Sequence, residues 1–93
     1  MIISFADKRT EKVWLRERVP GLPLDIQRKA AKQLLHLNAA SKLDDLREPP
    51  GNFLKKLLGS RTGQYSIRIN NQWRICFRWT EIGVEGVEIV DYH

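Results

Sequence analysis

Two alternating runs, Gln64 to Asn70 and Trp73 to Trp79, constrain the fold of this chain more than any other part of its sequence. In the first, Tyr65, Ile67 and Ile69 alternate with Ser66, Arg68 and Asn70. In the second, Trp73, Ile75, Phe77 and Trp79 alternate with Arg74, Cys76 and Arg78. A period of two sends successive side chains to opposite faces of a strand, so the runs predict an antiparallel hairpin with one apolar and one basic face. Asn70-Asn71-Gln72 supplies the tight turn between them. The apolar face then needs a covering layer, and the basic face is left for work.

The covering layer is legible upstream. Asp7 stands where a helix N-cap belongs, and a first helix is expected from Lys8 to Arg18. Pro20-Gly21-Leu22-Pro23 must break it, because proline removes a backbone donor and glycine permits a tight reversal. A second helix follows from Leu24 to Ala39. Its Ile26, Ala30, Leu34 and Leu37 recur at helical spacing, flanked by Ala31 and Leu35. Its other side carries Arg28, Lys29, Lys32 and His36, a pattern that a solvated helix face also produces.

Ser41 to Asn52 reads as a turn-rich connection punctuated by Pro49-Pro50-Gly51, with Leu43 and Leu46 as anchors. Phe53, Leu54, Leu57 and Leu58 have the spacing of one short helical turn. Thr80 to Gly86 reads as a loop because of Gly83 and Gly86, and a last strand starts at Val87. Ile2, Ile3 and Phe5 suit a short edge strand. The order of two helices and then a three-stranded meander predicts an α+β fold, an N-terminal helical hairpin packed on one face of a small, mainly antiparallel sheet. At 93 residues the whole chain, 1–93, is expected to form a single domain.

Charge points to the partner. The chain carries a formal net charge of +5, with a pI of about 9.7. No Asp or Glu occurs between Glu48 and Glu81, a window holding Lys55, Lys56, Arg61, Arg68, Arg74 and Arg78. That segregation suggests a face reserved for a polyanion, nucleic acid first among the candidates. A single cysteine excludes an internal disulfide, and His36 and His93 alone give no recognisable metal-ligand spacing. Neither a metal nor an organic cofactor is expected. The short apolar start and the lack of any long apolar run predict a cytoplasmic protein.

Arg68 and Arg74 fall on the polar side of neighbouring strands and are expected to converge on one phosphate, with Arg78 farther along the same face. A guanidinium is always charged and presents a planar fork that matches phosphate oxygens. The alternative is that these arginines merely keep an open sheet face soluble. Tyr92 and His93 close the sequence; a histidine titrates near neutrality and a tyrosine exchanges a proton when cations surround it. Lys55, Lys56 and Arg61 extend the positive surface, as phosphate contacts or as solubilising charges.

The run Gly59-Ser60-Arg61-Thr62-Gly63-Gln64-Tyr65-Ser66-Ile67-Arg68-Ile69-Asn70, then Gln72-Trp73-Arg74-Ile75-Cys76-Phe77-Arg78-Trp79, and finally Val87-Glu88-Ile89-Val90-Asp91-Tyr92-His93 resembles the HigB toxins of the RelE/ParE superfamily. Pro49-Pro50-Gly51-Asn52 fits the same pattern. The resemblance implies a RelE-like fold and a toxin that enters the ribosomal A site and cuts messenger RNA during translation. It also implies a HigA-type antitoxin with a helix-turn-helix fold, through which the pair contacts operator DNA. One departure is plain: many relatives have Lys-Gly-Asp-Arg where this chain has Leu58-Gly59-Ser60-Arg61.

The residues and the resemblance together predict a metal-independent endoribonuclease in which the RNA 2′-hydroxyl attacks the adjacent phosphorus and leaves a 2′,3′-cyclic phosphate. Arg68 and Arg74 would stabilise the developing charge. Tyr92 and His93 would move the protons, in an order the sequence leaves open, and Asp91 would orient the pair. RNA contacts fall to Lys55, Lys56, Arg61 and Arg78. The rival readings are a ParE-like DNA gyrase poison, which needs no acid/base pair, and a non-catalytic RNA- or ribosome-binding module.

Overall fold

The computed structural model describes residues 1–92. Helix α1 spans Lys8–Trp14, and the side chain of Asp7 accepts the amide of Thr10 at 2.8 Å as its N-cap. The helix stops four residues short of the expected Arg18. Arg16 adopts a left-handed conformation, φ 64°, and the amides of Arg16 and Glu17 fold back onto the carbonyls of Val13 and Lys12. That is the Schellman closure, with an arginine where glycine is usual, so composition gave no sign of it.

Helix α2, Leu24–Ala39, has the expected bounds. Its buried residues include Ile26, Ala30, Ala31, Leu34 and Leu37, whereas Leu35 lies about half exposed on the outer side. Gln27 is buried as well. Its amide group bonds the Val19 amide and carbonyl and the Leu22 carbonyl, fixing the loop between the helices from inside. A buried glutamine is tolerated because its polar atoms find backbone partners.

The sheet has four strands in the order β1 to β4, all neighbours antiparallel: Lys55–Lys56, Tyr65–Arg68, Trp73–Thr80 and Gly83–Asp91. Two differences from the expected meander stand out. Lys55 and Lys56, expected on a helical turn, pair with Ser66 and Tyr65 as a fourth strand. Phe53 precedes them in a left-handed conformation, φ 47°, which ends the short 3-10 turn Pro50–Asn52 and redirects the chain along the sheet edge. Of the four apolar residues thought to form that turn, only Leu57 is fully buried; Phe53 and Leu58 are exposed.

The second difference is in β4, which starts at Gly83 rather than Val87 and leaves only Glu81 and Ile82 between the strands. The two glycines that read as loop residues serve inside the strand. A Cβ on Gly83 would lie 2.6 Å from the Met1 carbonyl oxygen, so only glycine lets the N-terminal segment approach. Gly86, φ 62°, sits where two residues of β4, Gly86 and Val87, oppose one of β3, Phe77, between the pairs Cys76 with Glu88 and Arg78 with Glu85. The expected edge strand at the N-terminus takes the form of two parallel bridges, Ile2 with Val84 and Phe5 with Val87.

Cross-strand register assigns the faces. Ile67, Ile75 and Ile89 form one row, fully buried with Phe77, Leu34 and Leu37 in the core beneath the helices. The two helices on a four-stranded antiparallel sheet make this an α+β fold. Leu46 plugs into the same core from the 3-10 turn Leu43–Arg47, as the anchor the sequence suggested.

Helix α1 is tied to β4 by a buried polar bond, the Ile89 amide donating to Thr10 Oγ1 at 2.9 Å. Thr10→Val keeps the shape and removes the acceptor, leaving that amide unpaired in the interior. The expected loss is about 1–3 kcal/mol of stability, measured by urea unfolding. An unchanged midpoint would mean that the bond contributes nothing net.

Candidate functional site

The opposite face of the sheet carries two cross-strand rows. Ser66, Cys76 and Glu88 form one, and Arg68, Arg74 and Val90 form the other. Arg68 and Arg74 are therefore direct register partners, two cations side by side on adjacent strands. Like charges opposed in this way repel, and the protein holds them with groups of its own.

Arg74 is the most constrained. Its Nε donates to Ser66 Oγ at 2.8 Å, one Nη donates to the Phe53 carbonyl at 2.7 Å, and its guanidinium lies 5.8 Å from the centre of the Tyr92 ring. Arg68 donates to Asn71 Oδ1, and its guanidinium stands 5.0 Å from the centre of the Phe53 ring. Burial lowers the Arg74 pKa from its ordinary value; the nearby Cys76 and Tyr92 counter this, and Arg68 adds to it. A guanidinium still keeps its charge, so a partly desolvated cation beside a second cation gains most from an incoming anion.

An open cavity of about 420 Å³ lies over this pair, lined by Phe53, Leu54, Lys55, Arg68, Asn70, Asn71 and Arg74. A second one, of about 360 Å³, is lined by Lys55, Lys56, Leu57, Leu58, Ser60, Arg61 and Tyr92. Lys55 lines both. The basic residues and Tyr92 thus border one continuous surface, and Tyr92, 38% exposed, is reachable from it.

The expected site residues are distributed unevenly over this surface. Arg68, Arg74, Lys55 and Tyr92 come together. Lys56 and Arg61 line the second cavity, and Arg61 is engaged there, donating to Gln64 at 3.0 Å and to Glu88 at 3.2 Å as an ion pair. Arg78 shares the face but lines neither cavity. It lies four residues along β3 from Arg74, roughly 13 Å at the rise of a strand, with its guanidinium against Gly63. Asp91 is the register partner of Trp73, which puts it on the helix side of the sheet, where Gln72 Nε2 donates to it at 3.1 Å. It does not share the face of Arg74 and Tyr92. His93, the other half of the expected proton-transfer pair, lies outside the described residues.

Cys76 is fully buried under this surface, below Arg61, Arg74 and Glu88. Burial pushes its thiol up from the ordinary value; Glu88 adds to that, and the arginines oppose it. A protonated, inaccessible thiol acts as a small apolar filler. Among the described residues no group of three or more His, Cys, Asp or Glu side chains is placed to hold a metal.

Sequence reasoning missed the support beneath the arginines. Asn52 is buried, and its Nδ2 donates to the carbonyls of Leu46 and Glu48. Its Oδ1 accepts from Gln33, whose amide also reaches the Arg68 carbonyl at 2.8 Å. Helix α2, the proline turn and the end of β2 are joined through these two amides, next to the residue whose carbonyl holds Arg74. The only sequence sign was an asparagine closing a proline-glycine turn, which a reading by turn propensity treats as surface.

Comparison with known proteins matches this architecture. The chain is 37% identical to Toxin HigB-1 of Vibrio cholerae over 93 residues, covering 99% of this chain and 94% of that protein. An uncharacterized protein of Haemophilus influenzae is 33% identical over 58 residues, 62% of this chain and 57% of that one. Among solved structures, a chain of the YoeB–YefM complex from Staphylococcus aureus superposes with a TM-score of 0.62 at 19% identity, over 100% of this chain and 95% of the other, a likeness of fold. The profile of the HigB-like toxins, described as RelE-like toxins of the type II toxin-antitoxin system HigB, matches residues 3–93. With a site of paired arginines on a RelE-like sheet and a match over nearly its full length, the chain belongs to the HigB-like family of type II toxin-antitoxin toxins.

Proposed function

We propose that this toxin is an endoribonuclease that cuts messenger RNA in the ribosomal A site and so stops translation. The observation that carries the reading is the direct pairing of Arg68 with Arg74 beside Tyr92, at an open cavity whose lining carries no acidic side chain. A phosphodiester seated on the two guanidiniums has its negative charge matched by forked donors before any bond changes. As the 2′-oxygen bonds to phosphorus and the 5′-oxygen leaves, charge grows on the equatorial oxygens, and fixed donors there lower the barrier without reorganising.

Two protons must move. One leaves the 2′-hydroxyl and one reaches the departing 5′-oxygen, giving a 2′,3′-cyclic phosphate and a 5′-hydroxyl. Tyr92, against Arg74, is assigned to one transfer, and His93 to the other on its chemistry. Lys55 and Lys56 supply further phosphate contacts, with Arg61 once it exchanges Glu88 for RNA. The site is small, so the ribosome is the natural agent to hold the message in reactive geometry. The family relationship supports an inactivating antitoxin, here of the HigA type, through which the complex meets operator DNA.

The test is to incubate translating ribosomes with the purified protein, wild type beside a Tyr92→Phe, His93→Ala double variant, and to map message ends. Wild type is expected to give new ends within codons, and the double variant to lose at least about 100-fold in rate. Intact message with wild type, accompanied by stalled gyrase cleavage of DNA, would replace this reading with gyrase poisoning.

A further inference from the structure

Phe53 is 55% exposed at the rim of the arginine cavity, yet the chain fixes it closely. Its backbone is left-handed, φ 47° and ψ 54°, a conformation that bulky residues rarely adopt. The Phe53 amide donates to the Pro50 carbonyl, its carbonyl accepts from Arg74, and the preceding Asn52 is held by side-chain hydrogen bonds to Gln33, His36, Leu46 and Glu48. The ring is not part of the apolar core. A strained backbone held from both sides in order to expose a phenyl ring calls for a partner at that ring.

We propose that Phe53 is a stacking platform for a nucleobase of the message, the base flanking the phosphate held by Arg68 and Arg74. This rests on the nuclease reading above. Unpaired RNA bases stack on aromatic rings interleaved with arginines, and such stacking is tolerant of base identity because every base has a π-face. The ring already accepts one flat group, the Arg68 guanidinium at 5.0 Å. The cavity beside it, about 420 Å³, has the size of a small-ligand pocket and carries the ring and the phosphate-binding pair on its lining. Base and phosphate of one nucleotide are therefore addressed from a single wall, so that stacking sets where the scissile linkage falls.

Single-turnover cleavage on programmed ribosomes tests this with wild type, Phe53→Ala, Phe53→Trp and Arg74→Ala. The message is supplied either intact or with an abasic nucleotide on one side or the other of the cleaved linkage. The expected result is cleavage about 10-fold slower with Phe53→Ala and near wild type with Phe53→Trp. An abasic nucleotide on one side slows the wild type to a similar degree and slows Phe53→Ala no further. Equal rates for wild type and Phe53→Ala, or an abasic penalty of the same size in both, overturn the platform while Arg74→Ala stays inactive. The abasic message read with wild-type protein needs no variant to fold. If wild type leaves the message as intact as Arg74→Ala does, the nuclease reading itself fails, and the platform with it.

Discussion

Arg74→Ala is expected to lower message cleavage by about 100- to 1000-fold, the usual effect of deleting one fixed donor to a developing oxyanion, and to abolish growth inhibition. Two of the five N–H groups of this guanidinium are engaged by Ser66 and by the Phe53 carbonyl, which aim the remainder over the cavity. Arg74→Lys restores the charge but neither the fork nor the two anchoring bonds, so it recovers only a small part of the rate. The substitution to alanine also strands the hydroxyl of buried Ser66 and one carbonyl, at a cost of about 1–2 kcal/mol, so circular dichroism and a melting curve belong beside the rate. A folded Arg74→Ala protein that cuts at the wild-type rate would remove this arginine from the reaction.

The largest loss of stability from a single polar side chain is expected at Asn52. Alanine there breaks the bonds to Leu46, Glu48 and Gln33 at once, in a place only 3% exposed where water does not readily substitute. The expected cost is about 3 kcal/mol, a fall in melting temperature of roughly 12–24 °C for a domain of this size. Asn52→Asp, nearly isosteric, should do no better, because it removes the donors and turns a negative oxygen towards carbonyls. Activity is expected to fall faster than stability at temperatures where both variants are folded, since the same turn presents the carbonyl that positions Arg74. Differential scanning calorimetry together with cleavage at low temperature separates the two effects; a melting temperature within about 4 °C of wild type would show that the turn holds without this amide.

The hairpin of β2 and β3, the bounds of α2, the N-cap at Asp7 and the basic face were all readable, because each rests on a period or a cap that local sequence specifies. The early stop of α1, the β1 strand and the long β4 were not. Each depends on a backbone excursion whose reason is tertiary. Arg16 and Phe53 take left-handed conformations without being glycine, and Gly83 and Gly86 look like loop residues until the N-terminal segment and the bulge require them. The pairing of Arg68 with Arg74 followed from the turn length. Alternation along the last strand, Val87, Ile89 and Asp91 against Glu88, Val90 and Tyr92, likewise sets Asp91 and Tyr92 on opposite faces. Asn52 and Gln33 were invisible for a different reason, since a buried amide is recognisable only once its partners are placed.

The bridges of Ile2 and Phe5 to β4 and the bond from Ile89 to Thr10 close the chain into a ring, joining its first ten residues to its last ten. Loop-closure entropy across some eighty residues must be met before that seam forms, so docking of the N-terminal segment and α1 on β4 is expected to follow the local pairing of β4 with β3. Tyr92 rides on β4. Its contact with Arg74 is made across the pairing of β3 with β4, on the side away from the seam that joins the two ends of the chain.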